Sequence, residues 1–199
     1  ECNLGAKSPE EYGDYYAWGE IETKDSYRDW DNVGFQMGYK WFKNGIRKKY
    51  MEDYDEMQPE DDPARHVLGG SWRTPTFDEW YELLHECSWD NSERNGVKGY
   101  MVTGQNGKSI FLPAAGAMHS TGYEEKYCSS WYNHSNYVND EYVKEGVYWS
   151  STVYSLNRLN ANALFICTEP DLHPAGMLSY KTITAVERYM GFSVRAVSR

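Results

Sequence analysis

Apolar and polar positions alternate most clearly at the end of the chain. In Phe192-Ser-Val-Arg-Ala196 the two kinds of side chain swap faces at period two, as in a half-buried strand. Tyr148, Trp149 and Val153 predict a second strand in Gly146–Val153. Between the two lies sequence without a period. Tyr154-Ser-Leu-Asn-Arg-Leu-Asn-Ala-Asn162, and then Thr168 to Tyr189, are rich in Asn, Ser, Thr and Tyr. The expected picture is two regular strands holding an irregular polar insert. Helical spacing is strongest in Thr76–Cys87, where Phe77, Trp80, Tyr81, Leu84 and Cys87 fall at i, i+3, i+4, i+7 and i+10. Thr76 and Glu79 have the spacing of a capping box, so the helix is predicted to begin there with its stripe against the core. His85 lies off that stripe and reads as a solvated surface histidine.

Punctuation places the remaining elements. Asp62 as a cap, Pro63 at the first helical position and Gly69-Gly70 as a stop predict a short helix. The acids Glu60, Asp61 and Asp62 fit that helix N-terminus better than they fit a cation site. Two apolar runs flanking Gly104-Gln-Asn-Gly107 predict a hairpin over Gly99–Leu112. Residues 1–50 read mostly as loop, with a short strand in Tyr15–Trp18 and with Trp30, Phe35, Tyr39, Trp41 and Phe42 as loop anchors. Gly45–Glu56 is polar and takes no definite element. Residues 117–145 form a long polar-aromatic loop that includes the glycosylation sequon Asn133-His-Ser135.

A length of 199 residues suits one domain, 1–199. The formal charge of -10 argues against nucleic acid and against an anionic membrane surface as partner. No apolar run is long enough for a membrane helix, and Glu1–Gly5 lacks the charged and apolar regions of a signal peptide. Aromatic residues make up 16%, with 18 Tyr and 8 Trp, which points to loops pinned by large rings, to a binding surface, or to both. Cys2, Cys87, Cys128 and Cys167 are widely spaced. They leave open one disulfide or isolated thiols, with thiols favoured, and they give no zinc spacing. The five histidines are isolated, and no metalloprotease, nucleophile-elbow or phosphate-loop pattern is present. No cofactor is expected, and no metal, since an Asp-rich calcium loop is lacking. The chemistry that remains is recognition. Tyr supplies contact area at low entropy cost, and Asn and Ser supply adaptable hydrogen bonds. Tyr154, Ser155, Asn157, Arg158, Leu159, Asn160 and Asn162 are the candidate ligand-binding residues, with Tyr180, Thr182, Thr184 and Tyr189 as neighbours. The competing reading is that the Asn and Ser residues only satisfy loop backbone.

Several motifs together carry a resemblance. Asn3-Leu-Gly-Ala6, Ser8-Pro-Glu-Glu-Tyr-Gly-Asp-Tyr15, Ala17-Trp-Gly-Glu20, Gly69-Gly-Ser-Trp-Arg-Thr-Pro-Thr76, Ser109-Ile-Phe-Leu-Pro-Ala-Ala-Gly116, Tyr148-Trp-Ser-Ser-Thr152 and Gly191-Phe-Ser-Val-Arg-Ala-Val197 span nearly the whole chain. The chain resembles the Fibrobacter succinogenes major paralogous domain family, abundant in gut Bacteroidetes. The resemblance implies an α+β, C-type-lectin-like fold, remotely akin to the formylglycine-generating-enzyme scaffold. It also implies a place outside the cell, on a cell surface or a phage tail. That family carries a strand ahead of the Asn-Leu-Gly-Ala segment, and its usual insert is shorter than Thr168–Glu187. A subset resembles the variable proteins of diversity-generating retroelements, in which the stretch between these last two motifs is rewritten at adenines. An Asn codon so altered reaches Tyr, Ser, Thr, Asp, His and Leu, but not Lys, Met, Glu, Gln or Trp. Positions 154, 155, 157–160 and 162 fit such rewriting, whereas Glu169, Met177, Lys181, Glu187 and Met190 do not. The expected function is non-catalytic binding of a glycan or protein. The alternatives are an adhesin subunit contacting a neighbour through the 117–145 loop and, less favoured, an enzyme using Cys128 and Cys167.

Overall fold

A computed structural model describes residues 2–25, 27, 39–43, 46–47, 49–118, 145–168 and 181–198. Trp30, Phe35, Cys128, the sequon, most of the 117–145 loop and Tyr180 lie outside the described residues. In chain order the elements are β1 (Tyr15–Tyr16), β2 (Phe42–Lys43), β3 (Ile46–Arg47), α1 (Pro63–Leu68), α2 (Phe77–Glu86), β4 (Ser88–Arg94) and β5 (Val97–Thr103). They continue with β6 (Ser109–Pro113), β7 (Glu145–Val153), β8 (Asn160–Cys167), β9 (Lys181–Glu187) and β10 (Phe192–Ser193). The fold class is α+β, the described residues forming mostly strands in separate sheets with two short α-helices.

The central sheet has the order β1-β10-β7-β8-β9. Its pairs are antiparallel except β10 with β7, which run parallel. Strands β7 and β8 are buried on both faces, so their inner stretches, Val147–Trp149 and Ala163–Cys167, run apolar without alternation. One face carries Trp18, Tyr50, Trp149, Phe165 and Phe192, with Val186 from β9. The other carries Tyr148, Leu164 and Ile166 against Trp80 of α2 and against Tyr100 and Leu112 of the β4-β5-β6 sheet. Indole N–H groups pin the irregular chain to this frame. Trp18 donates to the Ser150 carbonyl (2.8 Å), Trp149 to Tyr16 (2.7 Å) and Trp80 to Trp149 (3.0 Å). The buried rings therefore supply packing area and also donate to strand carbonyls, two in β7 and one in β1. At Gly191 an added Cβ would meet the Tyr27 ring at 2.8 Å, so the backbone approaches that ring as only glycine allows.

Both helices begin as their sequences predict. Asp62 caps α1 by accepting from the Ala64 N–H, and Gly69 ends it at φ 69°. Thr76 and Glu79 form the reciprocal capping box of α2. The core face of α2, however, is turned from the expected stripe. Trp80 is buried and Leu83 and Cys87 pack beside it, while Tyr81 is 51% exposed and stacks on His85 at 4.0 Å. The cause is anchorage at one end. The Phe77 N–H donates to Thr152 Oγ1 (2.8 Å) and the Trp80 indole to the Trp149 carbonyl, and these fix the rotation of the helix.

Three strands depart from the expected layout. β4 pairs with β5 over its whole length through an Asn95-Gly96 turn with φ values of 51° and 80°. Asn-Gly is a strong short hairpin signal, and here it joins β4 to the strand that opens the expected 99–112 hairpin. β8 begins inside the stretch assigned to the irregular insert. Asn160 and Asn162 share one face and Ala161 and Ala163 the other, an alternation masked by the small size of alanine. β9 likewise regularises the end of the Thr168–Glu187 insert.

Candidate ligand-binding tip

The turn between β7 and β8, residues 154–159, joins the two buried central strands. Its closure is local: the Tyr154 N–H donates to the Asn160 carbonyl (3.1 Å), and Asn160 N–H to Asn157 (2.9 Å). The Asn157 side chain accepts from the Leu159 N–H (3.2 Å), an Asx-type turn. Ser155, Leu156 and Asn157 face solvent, and Leu156 is 84% exposed. Arg158 fastens the turn to the segment before it in space. Its Nε donates to the Tyr50 carbonyl (3.1 Å), Nη1 to Asp55 Oδ1 (2.6 Å) and Nη2 to the Tyr54 carbonyl.

That neighbouring segment is part of the same surface. Residues 55–57 run antiparallel to the end of β7, with Met57 N–H to Ser151 O and Val153 N–H to Asp55 O. The Glu56 carboxylate accepts from the hydroxyls of Ser151 and Thr152. Tyr54, 42% exposed, stands at the rim. None of Tyr54, Asp55 or Glu56 was singled out by sequence. The only hint was an acidic, tyrosine-bearing run, Tyr50-Met-Glu-Asp-Tyr-Asp-Glu56, without helical or strand period.

Beneath the tip lies an aromatic floor. Tyr50 is fully buried at φ 74°, a left-handed conformation that is rare for a bulky residue. Its ring meets Trp18 edge-on at 4.8 Å and Trp41 at 5.6 Å, and its hydroxyl donates to Asp61 Oδ2 (2.6 Å). Asp61 also accepts from Lys40 (3.0 Å) and Lys49 (2.8 Å). The acidic run therefore does more than favour a helix N-terminus, since Asp61 is the buried hub that fixes Tyr50. Arg188 enters the same floor, 2% exposed, over the rings of Trp18 (5.4 Å) and Tyr39 (5.9 Å), with Nη2 donating to Met51 Sδ (3.5 Å). Burial holds its pKa below the usual arginine value, and the Arg158 charge acts in the same direction.

The predicted site residues fall into three groups. Tyr154, Ser155, Asn157, Arg158 and Leu159 come together at the tip, with Asn160 at its base, opposite Glu187. Asn162 sits further in. It is buried, and its Nδ2 donates to the carbonyls of Thr152 (3.3 Å) and Val153 (3.4 Å), where β7 bulges. Thr182 and Thr184 lie opposite Phe165 and Ala163, so they share the Val186 face of the sheet, away from Asn160 and Asn162. Tyr189 packs half-buried beside Ala17, Tyr27 and Tyr39. Among the described residues no group of three or more His, Cys, Asp or Glu could hold a metal ion, and no helix is long and apolar enough to cross a membrane. Cys167 lies in the core, where burial first and Glu145 second push its thiol up to about 12. An open groove of about 630 Å³ lies between α2 and the β5–β6 turn, lined in part by Glu79, Glu82, Glu86 and Cys87. It shares no residue with the tip.

Compared with models of known protein families, with curated proteins and with solved structures, the chain gives no match.

Proposed function

We propose that the chain is a non-catalytic binding domain of C-type-lectin-like fold that meets a glycan or protein ligand with the β7–β8 tip. The observation that carries this reading is the contrast at the tip. Leu156 and Tyr54 stand in solvent, while the turn beneath them is fastened by Arg158 to a buried aromatic floor. A rigid scaffold presenting exposed, mixed side chains binds at low ordering cost. The lectin-like assignment is supported by short strands and two helices around long connections, and by the terminal segments meeting, with β1 on β10 and the Leu4 N–H on the Val194 carbonyl. A non-catalytic role is supported by Cys167, whose raised pKa disfavours the thiolate that the formylglycine-generating type of chemistry needs. Placement on a cell surface or phage tail, and diversification by a retroelement, belong to the same proposal.

Sequencing codons 146–199 across a natural population tests it. Substitutions concentrated at 154, 155, 157, 159 and 160, with Trp149, the anchoring Arg158, Asn162 and Gly191–Val197 constant, are expected. Even variation across the stretch would remove the diversified-surface reading.

A further inference from the structure

Among the described strands, β9 forms one edge of the central sheet, and its hydrogen-bonding pattern can be assigned residue by residue. The Arg188 N–H donates to the Leu159 carbonyl (3.2 Å), one of the two bonds of a bonded pair and in line with the β8–β9 register, while the Arg188 carbonyl turns to the Trp18 N–H. Antiparallel ladders alternate bonded and non-bonded pairs. Thr182, Thr184 and Val186 therefore turn their backbone groups toward β8, and Lys181, Ile183, Ala185 and Glu187 turn theirs outward, the Glu187 carbonyl also accepting from the Met190 N–H (3.2 Å). The Asn160 carbonyl, bonded to the Tyr154 N–H on the far side of β8, agrees with that phase. Among the described residues the Ala185 N–H and C=O and the Ile183 N–H have no partner. The Ile183 carbonyl takes only a 3.4 Å contact from Thr182 Oγ1. The stretch Thr182-Ile-Thr-Ala-Val186 has no charge, proline or bulge, the devices that keep an edge from pairing.

We propose that β9 is a homodimer interface, on which a second copy of this chain adds its own β9 antiparallel across a two-fold axis centred on Thr184. The charges select both the occupant and the register. In that register Lys181 faces the partner's Glu187, Ile183 faces the partner's Ala185, and Thr184 meets the partner's Thr184. Every outward-turned residue then meets an outward-turned residue, as bonded pairs require. The two-fold makes each Lys–Glu pair occur twice. Centring on Ile183 or Ala185 would set Lys181 and Glu187 opposite residues of the partner strand that carry no charge. Lys181 extends over Trp89 and Tyr100, each 5.7 Å away, on the face it shares with Ile183 and Glu187. The two central sheets would join into one continuous sheet with the α2 layers on the same side. This contact stands independently of the tip.

Sedimentation equilibrium of the whole chain, from micromolar to near-millimolar concentration, tests the interface. The wild type is expected to dimerise. Glu187→Lys, a change at an exposed side chain, sets like charges opposite each other twice and should raise the dissociation constant roughly tenfold at low salt. The double variant K181E/E187K restores the pairing with its signs exchanged and should recover the dimer. Ala185→Pro removes an outward N–H without touching the β8 ladder and should abolish dimerisation. If that variant fails to fold, the charge series decides. A wild type that stays monomeric throughout, or a dimer that E187K leaves unchanged, overturns the proposal.

Discussion

Replacing Asp61 by Asn asks whether the tip is held through the floor beneath it. The Asp61 carboxylate is 2% exposed and accepts from Lys49, Lys40 and Tyr50. Asparagine keeps the volume, loses the charge, and turns one acceptor into a donor facing two ammonium groups. Removing one partner of a buried ion pair costs about 3–5 kcal/mol. The lysines reach water, with side chains 47% and 21% exposed for Lys40 and Lys49. Their rehydration brings the expected loss to about 2–3 kcal/mol, or roughly 5–10 °C in Tm for a chain of this size. The pH dependence gives a second handle. Burial raises the Asp61 pKa, but hydrogen bonds from Lys49, Tyr50 and Lys40 outweigh it, and the carboxyl titrates below its ordinary value. A depressed folded-state pKa contributes stability that is full above the unfolded value of about 4 and is lost as pH falls through the folded value. Urea unfolding followed by tryptophan fluorescence should therefore show a wide gap between wild type and D61N at neutral pH and a narrowing gap in acid. A gap under about 0.5 kcal/mol at neutral pH, or one equally wide at pH 3, would refute the hub.

Other substitutions separate scaffold from surface. Asn162→Ala strips two bulge carbonyls of their donor and should cost about 1–3 kcal/mol in urea unfolding, as a structural amide does. Thr76→Ala removes the capping box and should cost about 1 kcal/mol by the same assay, with α2 exchanging amide hydrogens faster. Cys167, its thiol pushed up to about 12, should resist alkylation at pH 8 in the folded chain and react at a model-thiol rate in denaturant.

What the sequence made legible was whatever local chemistry decides. Asp62-Pro63 and Thr76–Glu79 mark helix starts through their own caps, and Gly104–Gly107 marks its turn, since these signals need no distant partner. The polar composition of 154–157 agrees with the exposure of Ser155 and Asn157 in the β7–β8 turn, since small polar residues sit where backbone turns in water. Decisions made by tertiary contact stayed hidden. The rotation of α2 depends on Thr152 and Trp149, some seventy residues away. Asn162 looked like a surface residue because a buried amide and an exposed one are the same letter, and only the bulge of β7 tells them apart. Tyr54 and Asp55 joined the tip through Arg158, a contact across more than a hundred residues that no periodicity encodes.

Binding by a tip variant tests the central claim most directly. Leu156→Asp combined with Tyr54→Ala changes two exposed side chains and leaves Arg158 and its backbone partners in place. Wild type and variant would be applied to arrayed glycans and to intact bacterial cells, with Tm measured alongside. The expected result is capture of the wild type on a defined subset of these surfaces, with that capture lost in a variant of unchanged Tm. Equal capture of both proteins, or no capture of the wild type on any surface, would contradict a ligand-binding tip.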